Sequence, residues 1–108
     1  MISSDEAALL LSKYKAESTR VRVFFRSRDN AINFRVTARI RHMEGLKRVD
    51  VIAGNGDFAL LVLDNCRFEY GESREAPAGI SDEIRSAVAG LLTAVFPSGE
   101  RVYFLELR

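Results

Sequence analysis

The stretch TRVRVFFRSRDNAINFRVTARIR, Thr19 to Arg41, carries seven arginines against one acid, and its apolar residues recur at every second position on both sides of Asp29-Asn30. Period two marks a strand with one face buried. A two-residue turn at Asp29-Asn30 sets Phe25 opposite Phe34, Val23 opposite Val36 and Val21 opposite Ala38. Register and face are linked, because a slip of one residue turns every side chain over. With this turn the apolar residues share one side, and the other side shows Arg20, Arg22, Phe24, Arg26, Arg35, Thr37, Arg39 and Arg41.

Two further turns extend the pattern. With Glu44-Gly45 as a tip, Ile40 faces Val49, Ala38 faces Val51 and Asp50 stands opposite Arg39. With Asn55-Gly56 as a tip, Val51 faces Leu60 and Val49 faces Val62. Asn-Gly is the strongest short hairpin signal, since a type I′ turn needs positive φ at both central residues. The three turns put one common apolar face on four strands, with Phe34 and Val51 in the core. The opposite face of the third and fourth strands shows Arg48, Asp50, Ile52, Ala59, Leu61 and Leu63. Alternation continues through Cys66, Phe68 and Tyr70, so the fourth strand either runs on or breaks at Asp64-Asn65 into a fifth.

The flanking segments read as helices. Ser3 and Glu6 form a capping box, and Ala7, Leu10, Leu11 and Tyr14 make a stripe at helical spacing. From Ser81 to Phe96, Ser81 is a cap, Asp82 and Glu83 suit a first turn, and Ile84, Val88, Leu91, Leu92 and Val95 make a second stripe. A last strand, VYFLEL, follows. The expected fold is α+β in two layers. A four- to six-stranded antiparallel meander is flanked by an N-terminal and a C-terminal helix, in the order α-β-β-β-β(-β)-α-β, as a single domain over residues 1–108. Four strands followed by a helix resembles the Whirly-type single-strand-binding domains, a likeness of fold alone from which no residue is carried over.

The chain has 108 residues, 47% hydrophobic and 29% charged, the make-up of a soluble globular domain and not of a disordered one. Cys66 is the single cysteine, so no internal disulfide can form, and a reducing, cytoplasmic setting is expected. The N-terminal MISSDEAALLLSKYK has acids where a secretion signal needs positive charge. Its apolar run is too short to cross a membrane. Residues 1–12 carry a net charge of −2, residues 13–48 of +8 and residues 49–108 of −5. Local charge of this kind steers partners more than the overall +1 does.

Catalytic patterns are weak. His42 is the one histidine, at a strand end. Cys66 falls on the core side, where a thiol behaves as a small hydrophobe. Asp50, Asp57 and Asp64 fall on different faces and turns, unlike a metal cluster. Gly54-Asn55-Gly56 precedes no helix, so it reads as a turn and not a phosphate loop. The chain is therefore read as a non-enzymatic binding module without metal or cofactor. Arg20, Arg22, Arg26, Arg35, Arg39 and Arg41 form the candidate surface, with single-stranded nucleic acid as the expected partner and Phe24 as a platform for a base. The alternative is a protein–protein interaction or self-assembling chaperone-like module with no nucleic-acid role, in which the arginines are solvated or meet the acidic half of another subunit. Ile52, Ala59, Leu61 and Leu63 are expected to form an exposed apolar patch that joins copies into a homo-oligomer.

Overall fold

The Ser3 hydroxyl accepts from the Glu6 N–H at 3.1 Å, and the Glu6 carboxylate accepts from the Ser3 N–H at 3.2 Å. This reciprocal cap starts the one helix of the described residues, α1 (Ser4–Ala16). The computed structural model describes residues 1–29, 31, 33–56, 58–71 and 88–107. After α1 come β1 (Val21–Arg26), β2 (Asn33–Glu44), β3 (Arg48–Ala53), β4 (Phe58–Leu61), β5 (Arg67–Gly71), β6 (Val88–Val95) and β7 (Arg101–Leu107). They form one antiparallel sheet in the order β4-β3-β2-β1-β7-β6-β5.

The chain passes from one edge strand, β4, to the other, β5, through residues 62–66. Six Cα steps reach at most about 23 Å. Seven strands laid flat would hold their edges roughly 29 Å apart. The sheet therefore curls, and α1 lies in its hollow. Ala7, Leu11 and Tyr14 meet Val21, Val23, Ala38, Ile40, Val49, Val51, Leu63, Phe68, Leu92 and Phe104 in one buried cluster drawn from both wings. The Ile2 N–H donates to the Phe68 carbonyl at 3.1 Å and so covers part of the free edge of β5. The buried Tyr14 hydroxyl donates to Glu106 Oε2 at 3.4 Å.

Three expectations need correction. The first is the C-terminal helix. Val88–Val95 is a strand, paired with both β5 and β7, and among the described residues the sheet has seven strands and not four to six; residues 81–87 lie outside the described residues. Leu91 and Leu92 are adjacent yet both buried, on opposite faces of β6. A strand covered on both sides has apolar neighbours that also fit a helical stripe, which is why the spacing misled. A side chain at Gly90 would collide with the Tyr70 hydroxyl. With that helix goes the likeness to four strands followed by a helix.

The second concerns register. The β1–β2 pairing is as read from the sequence, Phe25 on Phe34 and Val21 on Ala38. Between β2 and β3, Glu44 pairs with Arg48 around three residues, and Arg41 bulges out between Ile40 and His42. Together these move Ala38 two places, onto Ala53 and off Val51. An even shift keeps the face. At the next hairpin the Gly56 N–H donates to the Ala53 carbonyl at 3.0 Å, so Gly54-Asn55 form the centre of the turn and Gly56 follows with φ +91. Ile52 then pairs with Phe58 and Val49 with Leu61. This slip is of one residue, and it exchanges the faces of β4.

The third concerns Phe34. It has the inner-face position yet is 56% exposed, stacked on Phe25 with ring centres 5.1 Å apart. α1 covers the other end of β2, where the Ser12 hydroxyl touches Met43 Sδ at 4.0 Å, and leaves the Phe34 end open. Val51 is buried as expected.

Candidate anion-binding face

Strand parity sends Arg20, Arg22, Arg26, Arg35 and Arg39 to the convex side of the sheet, away from α1. Glu44 is the one acid within β1 and β2, and it lies at the far end of β2. Arg22 is half-buried and donates from Nη1 to Thr37 Oγ1 at 2.8 Å. Partial burial, then the neighbouring Arg35 charge, lowers its pKa from the ordinary arginine value. Arg39 is exposed and donates from Nε to the Ser18 carbonyl at 3.1 Å, which ties β2 to the end of α1. Arg20 is exposed, with no ion pair or side-chain hydrogen bond among the described residues. Arg41 is exposed in the bulge.

Asp50 does not stand opposite Arg39, whose partner is Ile52. Its carboxylate instead accepts from Arg48, two residues away on the same strand, with an N–O distance of 3.2 Å. That bond and the Asp50 charge raise the Arg48 pKa. The acid expected to offset the β1–β2 arginines is thus taken up at the edge of the face.

Phe24 is not a platform. It is 3% exposed and meets Tyr103 edge-on, centroids 5.9 Å apart at 73°. The Arg26 guanidinium lies over both rings at 5.7 Å from each centre. β7 is the cause: pairing with β1 puts Tyr103 beside Phe24, and Leu91, Leu105 and Leu107 complete a second apolar cluster on this side. The same pairing brings exposed Arg101 opposite Arg26. Arg101 belongs to the face and was missed in the sequence, because alternation does not say which strand lies beside which.

The expected apolar patch is not formed. Leu63 is fully buried, Leu61 is half-buried against the inner core, Ile52 is half-buried on the convex side and Ala59 is exposed. Leu60 and Val62 are exposed in their place, at 49% and 52%. They lie on or just after β4, an edge strand.

Of the possible catalytic groups, Cys66 is buried, and burial, then the nearby Asp64 charge, pushes its thiol pKa up to about 11. His42 is exposed, with Nε2 3.7 Å from Glu44. Among the described residues no three His, Cys, Asp or Glu side chains gather as a metal set would, and no helix is long and apolar enough to cross a membrane. An open cleft of about 400 Å³ indents the convex face between Arg20, Thr37, Arg39, Ile52 and Gly54. Comparison with family models, with curated proteins and with solved structures finds no match.

Proposed function

We propose that the convex face of β1, β2 and β7 binds the phosphate backbone of single-stranded nucleic acid, and that the protein is a small non-enzymatic binding module. The observation that carries this reading is the density of positive charge on the convex face: Arg20 just before β1, then Arg22, Arg26, Arg35 and Arg39 on β1 and β2, extended by Arg101, with Glu44 the one acid within those two strands. Like charges opposed across a sheet destabilise it, and Arg26 with Arg101 is such a pair. A polyanion lying along β1 relieves that repulsion. Arg20 to Arg26 spans roughly 20 Å of strand, enough for several phosphates. With Phe24 covered, affinity comes from charge and bidentate guanidinium–phosphate bonds and depends little on sequence. A lone buried cysteine suits work in the reducing cytoplasm.

Fluorescence anisotropy with a labelled single-stranded oligonucleotide tests the reading. Four phosphates neutralised give a log–log salt slope of about −3. Arg35→Glu with Arg101→Glu, both at exposed positions, should weaken binding and flatten the slope by about 1.4. No binding at low micromolar protein in low salt refutes the proposal.

A second reading rests on the β4 edge. Phe58 to Leu63 carries no charge and no proline, the devices that protect an edge, and Leu60 and Val62 are exposed there. Edge pairing between two copies would make a homo-oligomer, with or without nucleic acid.

A further inference from the structure

We infer that the cleft between Arg20, Thr37 and Arg39 is a binding site for a phosphate monoester that carries a sugar or base, an inference that rests on the backbone-binding reading above and names a ligand for one end of that face. The cleft, at about 400 Å³, is large enough for a mononucleotide-sized group. Two arginines line it, Arg20 just before β1 and Arg39 on β2. Arg39 is held by its Nε bond to the Ser18 carbonyl, which leaves its terminal N–H groups for a ligand. Arg20 has its whole guanidinium to offer. The third donor is Thr37. Its oxygen accepts from Arg22, and a hydroxyl that accepts one bond still has its own proton to give. Arg22 thereby stands as a second layer of positive charge behind the hydroxyl.

Charge selects the monoester over the diester. Two guanidiniums balance a group that carries close to −2 near neutral pH, whereas an internal backbone phosphate carries −1. The apolar side chain of the lining is Ile52, half-buried on the convex side, while Ala38, whose methyl lies in the inner cluster, lends the cleft backbone. The Ile52 side chain suits the uncharged part of a nucleotide. Gly54 lines the cleft, its φ is outside the left-handed region, and an added Cβ there meets nothing within 4 Å, so a larger side chain can be placed at this rim without a clash.

The same chemistry comes from a 5′-phosphorylated strand end or from a free nucleotide, and the test separates them. Anisotropy compares a 5′-phosphorylated single-stranded oligonucleotide with its 5′-hydroxyl counterpart, and calorimetry measures adenosine 5′-monophosphate against adenosine. The expected result is at least tenfold tighter binding of the phosphorylated end or of the monophosphate. Gly54→Leu, which changes no charge, and Arg20→Gln should each abolish that preference. A preference for the strand end alone assigns the site to termini, and binding of the monophosphate assigns it to free nucleotide. No preference in either arm, or a preference unmoved by Gly54→Leu, overturns the inference. If both oligonucleotides bind equally with the steep salt slope, the face reading stands and the cleft fails. If the monophosphate binds while no oligonucleotide does, the face reading fails and the cleft stands.

Discussion

Leu63→Ala and Leu60→Ala are expected to differ sharply in cost, and the difference tests the one-residue slip at the Gly54-Asn55 turn. Leu63 is fully buried among residues of both wings of the curled sheet, and its N–H donates to the Leu46 carbonyl at 2.7 Å. Truncation removes three carbons at about 0.8 kcal/mol each, or about 2.4 kcal/mol of transfer energy. A closed hole adds about 24 cal/mol per Å³ that the neighbours fail to fill, which takes the total to about 3 kcal/mol or more. Leu60 is 49% exposed, so truncation forfeits at most about half of the transfer energy and leaves no sealed cavity. Its cost should be about 1 kcal/mol or less. In a domain of this length the first change should lower the melting temperature by about 10 °C or more and the second by only a few degrees. Urea unfolding followed by circular dichroism measures both. Leu60→Ala costing as much as Leu63→Ala would show that the two-residue Asn55-Gly56 turn is the true one and that β4 presents its other face to the core.

Phe24→Ala should cost about 3–5 kcal/mol, measured by the same unfolding curves, because the ring is buried under Arg26 and against Tyr103; a neutral effect would mean that the ring is free. Alkaline pH should weaken the fold through Tyr14 and Cys66. Burial raises both pKa values above the unfolded ones, so their contribution is full below about pH 9 and is lost as pH rises through and past it. Tyr14→Phe with Cys66→Ala should therefore flatten the fall in urea midpoint between pH 8.5 and 11, and an unchanged fall assigns it elsewhere. Asp50→Asn breaks only a surface pair with Arg48 and should change stability by less than about 1 kcal/mol. Leu60→Lys with Val62→Lys should turn any oligomer seen by light scattering into monomer without loss of fold, and an oligomer that survives does not use the β4 edge.

What was legible in the sequence follows from the parity of each error. The β1–β2 register came out residue for residue, so the arginine face could be read from Arg20 to Arg39. The β2–β3 register was misjudged, but the longer loop and the Arg41 bulge together amount to two residues, and the buried set Ala38, Ile40, Val49 and Val51 survived. The last hairpin erred by one residue, and Leu60, Leu61 and Leu63 all changed sides. Asn-Gly was the right dipeptide in the wrong place. Its glycine takes the positive φ that follows the turn, one residue later than a type I′ tip would require.

Pairing between distant strands was not legible at all, and it decides which parts of the face can act. β7 reaches β1 from more than 70 residues away in sequence, and nothing local marks it as the neighbour of β1. That one pairing has two opposite effects on the candidate site. It buries Phe24 beneath Arg26 and beside Tyr103, which removes the base-stacking platform, and it adds Arg101 opposite Arg26, which adds to the positive charge of the face. Charge on a strand face survives a new neighbour, because a long guanidinium stem lifts its head above whatever packs beside it. An aromatic ring does not, since its exposure depends on the next strand. The arginines could therefore be assigned from the β1–β2 hairpin alone, while the role of Phe24 could not. Beside them, the cleft bounded by Arg20, Thr37 and Arg39 sets guanidiniums next to the half-buried Ile52 side chain.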